Sequence, residues 1–313
     1  MIMDLRAKIE SSVHPVSLYE LIPPKAGDKT ELEESLALVR KLVGSVDGIN
    51  IPEIRDETRQ GERRSRLPER IEPRAFALAI RDSCGLESVV NRVTVHETGS
   101  RQVAWMAQSH QDYGIRNLIL VGGESHAQSY PGPGVPEAAA LTRAAGIDFC
   151  LGGISIPSRS QEAARVRKKY AQGLRFFTTQ VLLDSNDIVD LIQSLNGLDV
   201  WIFLSFAPMS DLRDVEFLRW LGVDVSKNVE WSITQAGEPA KAVEKTIAHA
   251  AKILTDVFDH LPSHPPGLGI NIEQITQRNH QPATQMLETI GEFYRHLLQA
   301  RGSALAGARH PAR

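Results

Sequence analysis

Short apolar runs alternate with longer stretches whose apolar residues recur every three or four positions, and this rhythm spans most of the chain. The runs cover 16–22, 48–54, 89–98, 117–123, 148–155, 176–182, 200–208 and 267–274. Several are apolar throughout, such as Leu118-Ile119-Leu120-Val121 and Trp201-Ile202-Phe203-Leu204, which suits strands buried on both faces. Between them, sets such as Leu32, Leu36, Val39 and Leu42, or Ile188, Leu191, Ile192 and Leu195, have helical spacing. Capping residues stand where helices should begin, at Asp184-Ser185-Asn186-Asp187 and at Ser210-Asp211. Glycines follow the helical stretches at Gly44, Gly114, Gly146, Gly173 and Gly222, where a left-handed C-terminal residue favours glycine.

Strand followed by helix, eight times over, predicts a parallel sheet closed into a (β/α)8 TIM barrel. The expectation is one catalytic domain over 1–301 and a small, basic, disordered tail over 302–313. The alternative is a doubly wound open sheet, but the first run is followed by Pro23-Pro24 and not by Gly-x-Gly-x-x-Gly. Two regions break the rhythm. Residues 57–74 read as a charged, solvated loop, and 211–260 exceed one helix and predict two after the seventh strand.

Composition narrows the function classes. Lys and Arg total 35 against 38 Asp and Glu, a net charge of −3, so charge argues against a nucleic-acid partner. No stretch approaches the roughly 20 apolar residues of a membrane span, and residues 1–6 carry no signal-like run, so a cytoplasmic location is the expectation. The two cysteines, Cys84 and Cys150, lack Cys-x-x-Cys spacing, and Cys150 reads as a core thiol. No interface signature is visible for the homo-oligomer that such barrels commonly form.

In a barrel, chemistry sits at the C-terminal ends of the strands. Those ends carry Glu20, Glu53, His96, Glu97, Glu124, Gln180, Asp184 and the 274–278 stretch. Glu20 lies among Tyr19, Leu21 and Ile22, an apolar setting that raises a carboxyl toward general-acid use; an ion pair with a neighbouring Arg or Lys is the alternative. His96, Glu97, Glu124 and His126 could suggest a metal, but no His-Glu-x-x-His spacing supports one and none is expected. Gly122-Gly123 allows close approach of a ligand to the backbone, or serves only a turn.

These strand ends, taken in order, resemble the methylenetetrahydrofolate reductase family of flavin-dependent barrels. Tyr19-Glu20-Leu21-Ile22-Pro23-Pro24 is similar to that family's first strand, and Gly114-Ile115-Arg116-Asn117-Leu118-Ile119-Leu120-Val121-Gly122-Gly123-Glu124 to its fourth. Thr179-Gln180-Val181-Leu182-Leu183-Asp184, following Gln172-Gly173-Leu174, matches the sixth; His96-Glu97-Thr98 resembles the third, and Thr276-Gln277-Arg278 the eighth. The resemblance implies reduction of 5,10-methylenetetrahydrofolate to 5-methyltetrahydrofolate, or its reverse, with NADH or NADPH as hydride donor and FAD as carrier. It casts Glu20 as the acid that opens the imidazolidine ring and Glu124 as the carboxylate facing flavin and pterin. It casts Gln180 and Arg278 as folate contacts, and His96, Gly123, Lys168 and Lys169 as flavin contacts. The family's fifth-strand histidine and acid are missing from Gly152-Gly153-Ile154-Ser155-Ile156-Pro157-Ser158, Gly122 replaces an arginine, and Asn50-Ile51-Pro52 stands where a threonine touches flavin. These departures all fall on the flavin. Direct hydride transfer to the folate is compatible with them; a folate-dependent methyl transfer, or folate binding without catalysis, is the alternative.

Overall fold

The structure is a computed structural model that describes residues 4–11, 15–55, 67–123 and 129–308, with side chains described as far as Arg301. Eight parallel strands close into one barrel, each paired with the next and the last with the first. They are β1 (Ser17–Glu20), β2 (Gly48–Ile51), β3 (Ser88–Val93), β4 (Asn117–Val121), β5 (Cys150–Ser155), β6 (Phe176–Thr179), β7 (Trp201–Phe206) and β8 (Gly267–Glu273). The TIM barrel foreseen from the alternation is therefore what the chain forms.

The helical shell starts with α1 (Leu5–Glu10), then α2 (Lys29–Leu42), α3 (Pro73–Cys84), α4 (Gly99–Gln111), α5 (Val135–Ala144), α6 (Glu162–Ala171) and α7 (Asn186–Ser194). After β7 come α8 (Leu212–Trp220), α9 (Lys227–Thr234) and α10 (Pro239–Asp259), and α11 (His280–Ala308) closes the chain. The 211–260 stretch thus holds three helices where two were expected. Gly222 and Gly237, both in the left-handed region, break it, and Pro239 restarts a helix at its first turn. The helix α1 was not foreseen either. Six residues cannot show a convincing period, yet Leu5 and Ile9 close the N-terminal end of the barrel. At the other terminus α11 runs to Ala308, into the stretch expected as tail. No helix among the described residues is long and apolar enough to cross a membrane.

Alternation along the strands sorts residues between two cores. Tyr19, Ile49, Ile202 and Ile270 join the layer between barrel and helices, while Leu18, Val89, Ile119, Cys150, Phe176, Trp201 and Phe203 fill the barrel interior. The interior aromatics each face a glycine across the ladder: Phe176 opposite Gly152, Trp201 opposite Gly267, Phe203 opposite Gly269. A Cβ on Gly269 would lie 2.6 Å from the Phe203 ring, so these glycines are the recesses the rings occupy. Cys150 is among this packing, and burial pushes its thiol up to about 12, the behaviour of a core residue. The floor of the barrel is mainly apolar, with Asn117 of β4 entering it in phase with Ile119 and bonded to Glu87.

Candidate active site at the barrel mouth

Above the aromatic floor the inward positions change character. The polar ones include Glu20 on β1, Asn50 on β2, Asn91 on β3, Thr178 on β6, Ser205 on β7, and Asn271 and Glu273 on β8. Asn50 donates through Nδ2 to Glu20 Oε2 at 2.8 Å. Asn271 donates to Ser205 Oγ at 3.0 Å and, more distantly, to Glu273 Oε1 at 3.4 Å. Glu20 and Glu273 are half-buried, since they look into the open mouth, but protein encloses their carboxyls on the other sides.

That enclosure sets their chemistry. Desolvation raises the Glu20 carboxyl to about 7, opposed only in part by a hydrogen bond from Asn271. Glu273 is pushed well above the usual carboxylate range, first by desolvation and then by the charge of Glu20, against hydrogen bonds from Ser205 and Asn271. A group that stays protonated near neutrality and faces an open mouth can deliver a proton to a bound molecule.

The ion pair considered as an alternative for Glu20 belongs instead to Glu53. Its Oε1 accepts from Arg92 at 3.0 Å and from Arg55 at 2.7 Å, while its Oε2 takes the Val93 N–H at 2.6 Å. Arg92 lies over the Trp105 ring, 4.5 Å from its centroid, and bonds Gln102. Glu53 is thus a strap between the ends of β2 and β3.

The remaining expected residues are scattered around the same rim. Gln180 follows β6, half-buried, and donates to the Leu221 carbonyl at 3.1 Å. Arg278 follows β8 and is held by Asp214 at 2.6 Å and Asp211 at 3.3 Å. Asp214 is fully buried and also accepts from Ser210 and Asn279, so it ties the β7 loop to the start of α11. Asp214→Ala would leave those donors unmatched, with an expected loss of about 2–4 kcal/mol read from the urea unfolding midpoint. His96 packs edge-on against Tyr130, ring centroids 5.5 Å apart. Glu124, and His126 with it, lies outside the described residues.

Of the residues cast as flavin contacts, Gly123 and His96 both meet the Tyr130 ring, and the two lysines lie on α6. Lys169 donates its ammonium to the Ile154 carbonyl at 2.6 Å and sits 5.7 Å from the Phe177 ring centroid, where burial lowers its pKa. Lys168 is exposed on α6. The space beside Gly123 where a Cβ would stand is taken by the Tyr130 ring, and the loop behind it docks on the β3 end through Gly132 N–H to Val95 O at 2.8 Å and Thr94 Oγ1 to Pro133 O at 2.9 Å.

Glu273, Asn271, Asn50 and Ser205 were not singled out as site residues from the sequence. A signal existed in Gly267-Leu268-Gly269-Ile270-Asn271-Ile272-Glu273, whose strict alternation puts Asn271 and Glu273 in phase on one face. Which face, and that Glu20 stands beside it, follows from closure of β8 on β1.

No family model matches the chain, and no curated protein matches it in sequence. Among solved structures it is similar to an uncharacterized protein from Clostridium thermocellum described as binding two copies of 5-methyl-5,6,7,8-tetrahydrofolic acid. The TM-score is 0.69 at 18% identity, over 92% of this chain and 99% of that one. It is also similar to 2,3-dimethylmalate lyase of the PEP mutase/isocitrate lyase superfamily, with TM-score 0.51 and 12% identity, over 93% and 86% of the two chains. At such identities these likenesses show the barrel fold that the chain shares with both.

Proposed function

We propose that the chain is an enzyme that binds a tetrahydrofolate in the barrel mouth and reduces its 5,10-methylene unit with hydride from NADH or NADPH. The observation that carries this reading is Glu20: inward-facing at the end of β1, hydrogen-bonded to an amide and not to a cation, and protonated up to about 7. Opening the imidazolidine ring requires a proton on the departing nitrogen, and the carbon left as an iminium then accepts hydride. The order of motifs along the chain and the folate held by the Clostridium barrel support the choice of ligand. FAD is not part of this reading: Lys169 is bonded to the Ile154 carbonyl and the Tyr130 ring packs against both Gly123 and His96, so in this reading hydride passes directly from the nicotinamide.

The test is an absorbance spectrum of the purified chain, then anaerobic NADH with methylenetetrahydrofolate. A colourless protein that oxidises NADH only when folate is present supports the reading. A flavin band that NADH bleaches overturns the direct route. The 5-methyl form bound by the Clostridium protein favours a second reading, in which a methylated folate is held or used for methyl transfer without reduction. A colourless chain that binds 5-methyltetrahydrofolate and leaves NADH untouched would support it. In either case Gln180→Ala is expected to raise the folate dissociation constant about tenfold, through one lost polar contact; calorimetry showing unchanged affinity would remove Gln180 from the site.

A further inference from the structure

The carboxyl at the end of β8 has no task in the reaction above, yet it adjoins the one that does. Glu20 and Glu273 are Cα partners across the β1–β8 ladder, and neighbouring strands lie only about 4.8 Å apart. Both point inward from the same height. The described groups that face them from the packed elements are neutral: Asn50 from β2, Ser205 from β7 and Asn271 from β8. Among the described residues, Arg55 and Arg92 are engaged with Glu53, Arg278 with Asp211 and Asp214, and Arg70 with the Pro23 carbonyl. Two ionised carboxylates this close, bonded among the described residues to amides and a hydroxyl, repel strongly.

The amides give a second, independent sign. Asn50 and Asn271 spend their N–H groups on the carboxyls and on Ser205, while Oδ1 of each is buried without a donor. A buried acceptor without a donor is costly, and a carboxyl O–H is the donor that stands within the same cluster. We propose that Glu20 and Glu273 hold one proton between them in the free protein at neutral pH, and that, once Glu20 has given it up, Glu273 takes the next proton from solvent and passes it to Glu20.

The inference rests on the proposed reduction for its substrate but not for the pairing itself. In that reaction the Glu20 O–H bond breaks as an N–H bond forms on the opening ring. Solvent then protonates Glu273, and that O–H bond breaks in turn as the Glu20 O–H re-forms. Glu273 therefore acts through Glu20, as a positioning and proton-supplying residue.

The test is an infrared titration of the ligand-free full chain, which reads protonated carboxyl groups directly, on the wild type and on Glu20→Gln and Glu273→Gln. Each variant keeps one carboxyl and should show one step; the last step of the wild type should lie about one pH unit or more above both. A last wild-type step that coincides with the step of either variant would overturn the proposal. Carbon-13 NMR of the wild type needs no variant: two carboxyl resonances that move together in both steps support sharing, and two that each move in a single step overturn it. If the chain reduces methylenetetrahydrofolate, the alkaline limb of Glu273→Gln should fall by the same interval. Because the titrations need no folate, the pairing and the proposed reaction can fail separately.

Discussion

Glu20→Gln is expected to lower the turnover of methylenetetrahydrofolate by about a hundredfold to ten-thousandfold while leaving folate affinity within a few-fold. Glutamine keeps the size of the side chain and its bond with Asn50, so the mouth retains its shape. What it lacks is a proton to give. The sign of the pH dependence follows from the same group. The acid works when protonated, and burial keeps it so up to about 7. Turnover should therefore be level below that pH and fall about tenfold for each further pH unit, and this limb should vanish in the variant. Steady-state rates across pH decide the matter, with calorimetric folate binding alongside. Undiminished turnover in Glu20→Gln would take the proton donor away from β1 altogether.

Phe203→Ala is expected to cost about 3–5 kcal/mol of stability, read from urea unfolding, with the melting temperature lower by roughly 10 °C. Phe203 is fully buried on the barrel axis side of β7, edge-on to Phe176 at 5.9 Å and adjoining Trp201. Its neighbour across the ladder is Gly269, which supplies empty space and no atoms to collapse into the void. A barrel interior cannot shrink by moving one strand, because every strand is bonded on both sides. A loss below about 1 kcal/mol would mean that the floor is less tightly packed than the glycine–aromatic pairs imply.

The two predictions probe successive levels of one interior, and they differ in how far each level could be foreseen. The eight apolar runs coincide with the eight strands at their starts, but several overran at their ends. The run at 89–98 contains a strand that stops at Val93, because Thr94 turns its hydroxyl to the Pro133 carbonyl and Val95 stays buried without belonging to the ladder. Burial continues past the last strand bond, so hydrophobicity alone cannot mark where the strand finishes. Glycines after helices were legible for a local reason: Gly44, Gly114, Gly146, Gly173 and Gly222 all have the positive φ that their positions suggested.

Local rules also located Glu20, since an acid among apolar neighbours at a strand end is visible along a few residues. Whether it would meet a cation was open, because the answer depends on what other strands bring to it. The same holds for Glu53, equally acidic and equally placed, which folding gives to Arg55 and Arg92.

The sequence by itself determined the strand–helix rhythm, the closed barrel and the end of it that carries polar side chains, since each depends on spacing within a short stretch. Tertiary structure alone decided which acids are paired, which lysine is sequestered, and that Glu273 stands next to Glu20. Those outcomes depend on residues 253 positions apart meeting when β8 closes on β1, and the Coulomb and desolvation terms that govern a carboxyl act across a few ångströms of space, whatever the separation along the chain.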